Sequence, residues 1–554
     1  MPKLFADLHV HPTLYPYNRL YPATGKPRSA GVTPWTEVRV NAEKMAAGAH
    51  AAAYSQASFA QMTRGRMRLP FVSLTPIEKS FLEYDDELDK PGLAGELARL
   101  ITGLTPLGAI RALGRGDPKA ALRQALGLLR AKSPLRLLLQ KSYLGYELDR
   151  LRFLTSDEHD YWEAFRDEYE FLRRGEGAEH RGVLHRIGDG GRRAVREEIA
   201  GAYHLVRSPG ELDRVLFASE RDIAVALSVE GGHVLSLDPR GQPLPLFAIL
   251  ERVEALKGLD RPVLFIGLAH HFDNGLCGHA RSIPDLGALL ISQRRRLGEG
   301  FERRDDAGLT VTRALLDLDT QGRDLGGRRV LIDIKHMSPR TRKELYAELL
   351  EPHLAWWDGL SRAQQEARPQ VPIIASHVAY SGVASLDELI QDAAAEDDYR
   401  HVGPYYGWGL NVSDQDVRMI HASQGLCGII LDSRVSGLPK GQKVTADRWS
   451  RILLQQIFGL VDVIWQDERI APARRSSIWD RLCIGSDYDG CIQPMKPYPT
   501  VLEYDRLFDE LAGHLQRHRH TRHIEALGVE TLIEKLAWKN AYDFFARHLP
   551  QAVS

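Results

Sequence analysis

Short apolar runs recur along the chain, and each ends in a polar or ionisable cluster. Their cores are rich in Val, Ile, Leu and Ala without alternation, which is typical of parallel strands covered on both faces. Helical patterns lie between several of them, such as 339–357 and 445–468. Strand then helix, repeated, predicts an α/β fold, a (β/α)8 TIM-type barrel, with an open doubly wound sheet as the competing interpretation. The predicted strands are 4–11, 49–58, 223–233, 262–271, 329–336, 371–377, 425–431 and 481–490.

Two regions of the chain are longer than the connections that a minimal (β/α)8 barrel needs. Residues 80–215 separate the second and third predicted strands and predict a large helical insertion, with strands 1–2 in 1–79 and the rest of the barrel and its closing helices in 216–554. Within the insertion, 116–144 is basic and amphipathic, which suits either a membrane-surface helix or packing against the rest of the chain. Residues 380–410 predict an aromatic, Gly-rich loop at the carboxyl end of a strand, where barrels of this kind keep active-site loops.

Composition and net charge limit the classes of protein to which the chain can belong. Among 554 residues, 44% are hydrophobic and 26% charged, the proportions of a soluble globular enzyme. The net charge of −1 gives no field that would recruit nucleic acid or an acidic membrane. Four cysteines make no disulfide framework, and neither a secretory signal nor a membrane-spanning run is evident. The expectation is a cytoplasmic enzyme acting on a small-molecule substrate, with homo-oligomerisation left open.

Ionisable residues lie at or near the carboxyl ends of five of the predicted strands. In a barrel these ends converge on one pocket, and imidazole with carboxylate suits Zn²⁺ best, with Mn²⁺ or Fe²⁺ as alternatives. The set exceeds what one tetrahedral ion needs, so two divalent metal ions bridged by a carboxylate are the economical interpretation. The residues are His9, His11, Glu230, His336, His377 and Asp487.

Longer motifs around these residues resemble the membrane (renal-type) dipeptidases of the metal-dependent amidohydrolase superfamily. They occur in the family's order and, with the first strand, cover more than half of the chain, although 80–215 has no recognised counterpart. The motifs are SVEGGH (228–233), LAHHFDN (268–274), DIKHMS (333–338), ASHVAYSG (375–382), NVSDQDVRMIHASQGLCGIIL (411–431), IGSDYDG (484–490) and ETLIEKLAWKNAYDFF (530–545).

The resemblance implies a role for each matching residue. His9 and His11 would hold the first metal, and His336 and His377 the second. Glu230 would bridge them. A hydroxide bridging the ions would attack the substrate, with Asp487 as the general base that passes its proton to the leaving amine.

Other roles that the resemblance implies concern the substrate. His270, followed by Asn274, would steady the carbonyl as it becomes tetrahedral, and His233 would orient the metal ligands. His271 and His279 are ambiguous, and Lys335 is expected to point away from the pocket because it precedes His336.

Two departures from the family pattern affect these expectations. The family usually has HxD on the first strand, where this chain has His11, so metal binding should survive with one negative charge fewer. The family also places an Arg just before the NVxD segment to clamp the substrate's terminal carboxylate, and this chain has Leu410 there. An apolar side chain cannot make that bidentate contact. Nearby rings, Tyr406 among them, predict either an apolar substrate-binding surface or simple loop packing.

The predicted function is therefore a binuclear metal-dependent hydrolase that cleaves a C–N bond in a dipeptide or related small amide. Three alternatives stay open: an amidohydrolase-superfamily enzyme on a non-peptide amide or lactone, a phosphoesterase of the polymerase-and-histidinol-phosphatase type, which also begins DLHxH, and a catalytically silent metal-binding scaffold. The phosphoesterases usually end in a late DxH pair, where this chain has DYDG (487–490).

Overall fold

The computed structural model describes residues 2–20, 31–38, 55–82, 146, 148–187, 194–283, 293–392, 401–437 and 445–549. Eight parallel strands form one sheet, in chain order from the first to the last. This order and the intervening helices confirm the predicted barrel class. The strands are β1 (Phe5–Val10), β2 (Met67–Leu74), β6 (Ile223–Glu230), β7 (Val263–Gly267), β8 (Leu331–Asp333), β9 (Ile373–Val378), β12 (Leu426–Ile429) and β13 (Leu482–Ile484).

Backbone contacts between the first and last strands close the sheet. The segment after β13 runs parallel to β1, with Val10 paired with Tyr488. The Asp487 N–H donates to the His9 carbonyl at 2.9 Å. The buried carboxylate of Asp7 adds a second link, because it accepts from the backbone N–H groups of both His9 and Ser486. Closure places the carboxyl ends of all eight strands around one rim.

Helices surround the barrel. The helices predicted in 339–357 and 445–468 begin directly after the N-cap residues Ser338 and Thr445. The side chains of Ser338 and Thr445 accept from the backbone N–H groups of Thr341 and Arg448, satisfying donors that a helix start leaves free. The helices after β6 are α6 (His233–Ser236), α7 (Leu246–Lys257), α8 (Ala307–Leu316), α9 (Pro339–Leu345), α10 (Glu351–Asp358), α11 (Arg362–Ala367), α12 (Leu386–Asp392), α13 (Asp414–Ala422), α14 (Ala446–Trp465), α15 (Pro472–Arg475), α16 (Tyr504–Arg517), α17 (Arg522–Glu525), α18 (Val529–Glu534) and α19 (Asn540–His548).

Short irregular helices join some of these. A π-helical turn, Tyr346–Leu350, makes α9 and α10 continuous, and another, Lys535–Lys539, links α18 to α19. Turns of 3-10 helix cover Lys79–Phe81, Arg304–Asp306, Ser476–Arg481 and Val501–Glu503. The closing helices α16, α18 and α19 agree with the predicted helical patterns at the end of the chain. Helix α19 packs its Phe544 and Phe545 into the same apolar cluster as Leu8 and Phe71 of the barrel strands.

The second strand was predicted in the wrong place. It is Met67–Leu74, whereas the described part of 49–58 is an extended segment that caps helix α2 (Phe59–Arg64) through Ser58. Pro70 within the strand argues against strand structure, since proline cannot donate to a ladder. The strand nonetheless pairs with β1 and β6.

The described part of 80–215 contains more than helices. It has α3 (Leu148–Leu154), α4 (Tyr161–Arg174) and α5 (Pro209–Ala218), and also an antiparallel hairpin of β3 (His180–Ile187) and β4 (Ala194–Gly201), which the sequence did not predict. Strand β5 (Tyr203–Leu205) pairs with β6 outside the barrel order. The amphipathic segment 116–144 lies outside the described residues.

The remaining described elements are short. Helix α1 (Leu14–Leu20) follows β1. A hairpin of β10 (His401–Val402) and β11 (Tyr405–Tyr406) lies in the predicted aromatic loop after β9. Within the described ranges, no helix combines the length and the apolar character needed to cross a membrane.

Candidate metal centre

Five imidazoles converge on one buried carboxylate at the carboxyl rim of the barrel. Glu230 is the last residue of β6. Its Oε1 lies 3.4, 3.4 and 3.5 Å from the Nε2 atoms of His9, His336 and His377. Its Oε2 lies 3.3 and 3.5 Å from the Nε2 atoms of His11 and His270. With Asp487 these residues are called the Glu230 cluster below, and it unites every histidine and carboxylate that the sequence predicted for metal binding or catalysis.

Asp487 lies on the β1 side of this cluster. Its Oδ1 is 3.3 Å from His11 Nε2 and 3.9 Å from His9 Nε2, and its Oδ2 is 3.9 Å from His377 Nε2. The Nε2 atoms of His9 and His11 are 3.0 Å apart. Two nitrogens about 2.0–2.1 Å from one tetrahedral ion lie roughly 3.3 Å from each other, so this pair matches the spacing of two ligands on one ion.

Burial sets the protonation of the cluster. It lowers the pKa of His336 to about 3 and that of His377 well below its usual range, which keeps both imidazoles neutral, as metal ligands must be. Burial alone would raise the pKa of Glu230, but His270 and His9 outweigh it and hold that pKa well below its usual range. Burial would likewise lower the pKa of His11, yet Asp487 and Glu230 raise it to about 9. The carboxylates of Asp487 and Glu230 therefore favour a positive charge at the centre of the cluster.

The rings of His11 and His377 have hydrogen-bond partners on the nitrogen that faces away from the cluster. His11 Nδ1 donates to the Ser73 carbonyl at 3.1 Å and lies 3.2 Å from Thr75 Oγ1. His377 Nδ1 lies 2.8 Å from Ser376 Oγ, which also bonds the buried carboxylate of Asp333. Partners of this kind fix the tautomer, so that Nε2 is the nitrogen presented to the cluster.

The donor set fits a divalent metal. His377 Nε2 is buried and has no hydrogen-bond partner among the described residues, which is costly unless a ligand completes it. Among the described residues, four groupings of three residues with ligand atoms within 4.8 Å of one another occur at or beside the cluster, including His9–Glu230–His377 and His9–His11–Asp487. Imidazole nitrogen and carboxylate oxygen are the ligands that Zn²⁺ prefers among those present.

His270 is steadied by a carboxylate that the sequence analysis missed. Its Nδ1 lies 2.6 Å from Oε2 of Glu78, which is 4% exposed. Burial would raise the pKa of Glu78, but the charge of His270 outweighs it and lowers that pKa. The pair fixes the orientation of His270 and gives its ring a cationic character, which suits a group that stabilises a developing negative charge.

His233 and Asn274 lie behind the cluster. His233 Nε2 donates to the Pro76 carbonyl at 2.9 Å. Gly231 has φ 100, and a Cβ there would come within 2.3 Å of His233 Nδ1, which explains the glycine of the EGGH motif. Asn274 donates to the Leu268 carbonyl at 2.5 Å and accepts from the Leu276 N–H at 3.0 Å. Its amide therefore shapes its own loop, and a contact with substrate stays a prediction.

The strand alternation on which the expected orientation of Lys335 rested does not extend to this position. Side chains alternate on a strand, but β8 ends at Asp333, and Ile334–Met337 is a turn in which the Met337 N–H donates to the Ile334 carbonyl at 3.1 Å. His336 there has φ 64. Burial lowers the pKa of Lys335 to about 8, against the opposing charges of Asp487 and Glu230. The side chain is therefore buried within electrostatic reach of the cluster.

Leu410 and Tyr406 lie in one apolar cluster. Leu410 is 6% exposed and packs with Tyr406, Trp408 and Ala379, which follows β9. Its loop is fixed by the buried guanidinium of Arg342, which donates to the carbonyls of Gly409 at 2.7 Å and Asn411 at 3.1 Å. The surface at this position is thus apolar and rigidly held.

Comparisons with known proteins give structural relatives only. No family model matches the chain, and no curated protein does. Similar solved structures include the dipeptidase AC, a metallo peptidase of family M19, at 13% identity and a TM-score of 0.43, covering 99% of this chain and 98% of that one. Another is a metallo peptidase from Rhodobacter sphaeroides liganded with a phosphinate mimic of the dipeptide L-Ala-D-Ala, at 13% identity and 0.44, covering 98% and 99%.

A third is the probable dipeptidase PvdM from Pseudomonas aeruginosa, at 14% identity and a TM-score of 0.39, covering 99% of this chain and 95% of that one. The assignment of the barrel rests on the chain's own strand order.

Proposed function

We propose that the protein is a binuclear metal-dependent hydrolase that cleaves a C–N bond in a dipeptide or related small amide. The observation that carries the proposal is the convergence of five imidazoles on the two oxygens of the buried Glu230 carboxylate. One carboxylate oxygen faces His9, His336 and His377, and the other faces His11 and His270. A bridging carboxylate between two sites would present this arrangement. His9, whose Nε2 is close to that of His11, completes the first site.

Two divalent ions, with zinc favoured, would be held by His9 and His11 on one side and His336 and His377 on the other. When bound, such ions activate water and polarise a carbonyl. Asp487, whose carboxylate faces the β1 side of the cluster, would take the proton of the attacking water and return it to the leaving amine. His270, charged through Glu78, would stabilise the oxygen of the carbonyl under attack.

The apolar side chain of Leu410 affects which substrates the site would accept. A free dipeptide carries a terminal carboxylate that is costly to desolvate without a cation. The apolar cluster at Leu410 would instead receive a neutral or hydrophobic group, which favours amides, esters and lactones whose distal end is uncharged. The scaffold alternative predicts metal binding without turnover, and a screen of dipeptides, N-acyl amino acids and lactones separates the two.

Metal analysis tests the centre directly. Purified under metal-replete conditions, the wild type is expected to contain about two equivalents of divalent metal, the stoichiometry of a two-metal site. The double variant His336→Ala/His377→Ala should retain about one, because only the proposed His336–His377 site loses its ligands. His520→Ala, at an exposed position, serves as the control and should retain two. One equivalent in the wild type, unchanged in the double variant, would show that the binuclear assignment is wrong.

A further inference from the structure

Helix α4, from the segment 80–215, inserts a carboxylate beside the first strand. Glu168 lies at the middle of α4 and is 1% exposed. It shares the buried face of the helix with Phe165 and Leu172, three and four residues away. A carboxylate at such a position is unusual, since charged side chains are almost never fully buried unless they are paired.

Glu168 contacts two threonines that flank His11. Its Oε1 accepts from Thr13 Oγ1 at 2.5 Å, and its Oε2 accepts from the Thr75 N–H at 3.2 Å. Thr13 is two residues beyond His11 on the chain. Thr75 directly follows β2, and its Oγ1 lies 3.2 Å from His11 Nδ1 and 3.5 Å from Glu230 Oε2. One carboxylate thus ties the ends of β1 and β2 together around His11.

Stability alone does not account for this carboxylate. Among the described residues, the carboxylate of Glu168 bonds Thr13 and Thr75 and makes no direct ion pair, and the charges of His11 and Arg150 offset only part of the cost of removing it from water. Burial raises the pKa of Glu168 to about 7, which reflects that cost, and His11 is among the groups that oppose it. A neutral side chain of similar size would be cheaper for folding.

We infer that Glu168 is a positioning residue for the metal site formed by His9 and His11, acting through Thr13 and Thr75. The inference rests on the metal centre proposed above. It also gives the segment 80–215 a part in that centre, because the carboxylate comes from this segment and from no barrel strand. The expected consequence is selective: the His9–His11 site should depend on Glu168, and the His336–His377 site should not.

Glu168→Gln tests the inference, because it removes the charge and keeps the shape. Zn²⁺ is titrated into the metal-free protein against a chromophoric chelator, and Co²⁺ absorption spectra report the ligand geometry. We expect the affinity of one of the two ions to fall about 10- to 100-fold, the usual effect of losing a group that orients a ligand. The second ion should bind as in the wild type, and the Co²⁺ spectrum of the first should change. Glu163→Gln, an exposed position on the same helix, is the control.

Two results would overturn the inference: wild-type affinity for both ions in Glu168→Gln, or an equal loss at both sites together with a lower melting temperature, which indicates general loosening. If Glu168→Gln does not fold, Thr75→Val removes the hydroxyl beside His11 while leaving Glu168 in place, and the same selective loss is expected. Its absence would count against the inference equally. Failure of the wild type to bind metal would instead refute the proposed function.

Discussion

Asp487→Asn is expected to lower kcat about 10²- to 10⁴-fold while the protein keeps its metal, because a positioned general base is typically worth that much in rate. The amide preserves the shape of the carboxylate but cannot take up a proton. Asparagine also tolerates the left-handed backbone at this position, where φ is 64. The measurement is kcat on the best substrate of the screen, with metal content determined on the same preparation.

The control for this variant is Asp358→Asn, the same change at the exposed end of α10, which should leave kcat unaltered. Near wild-type kcat in Asp487→Asn would require another residue as the base. Loss of metal along with activity would show that Asp487 acts as a ligand, as its 3.3 Å approach to His11 also allows.

Leu410→Arg should shift specificity toward substrates with a free terminal carboxylate. A charge-assisted contact of this kind contributes about 1.5–3 kcal/mol. That energy corresponds to roughly 10- to 150-fold in binding. The wild type should therefore act poorly on an ordinary dipeptide and better on its C-terminal amide. The quantity to compare is the ratio of kcat/KM for this matched pair, since a ratio is unaffected by partial loss of active protein.

Leu410→Met is the matched control, because it keeps an apolar side chain of similar volume and should leave the ratio unchanged. A wild type that already prefers the free acid tenfold or more, with no gain in Leu410→Arg, would contradict the prediction. Another cation would then hold the carboxylate. Arg281 is one such group.

The sequence predicted those parts of the site that depend on local pattern. Uninterrupted apolar runs marked β6, β7, β8 and β9, and the ionisable residue at or after each end marked the rim. The wrong predicted position of the second strand also hid two residues of the site. With β2 assigned to 49–58, Thr75 and Glu78 were not recognised as residues at a strand's carboxyl end, although they contact His11 and His270.

Other features depend on contacts that no local pattern contains. Glu168 approaches Thr13 and Thr75 across 155 and 93 residues of chain. Its position on the apolar face of α4 was nevertheless a detectable signal. The expectation for Lys335 extended strand alternation past Asp333 into a turn, and the three-residue length of β8 depends on tertiary structure.

The backbone at His336 and Asp487 lies in the left-handed region. Both have φ 64, a conformation that costs a side-chain-bearing residue about 1 kcal/mol or more and that glycine adopts freely. Selection for stability alone would favour glycine at 336 and asparagine or glycine at 487. The histidine at 336 and the aspartate at 487 are therefore present at a cost in stability. Their local backbone strain lets an imidazole and a carboxylate reach the centre of the barrel.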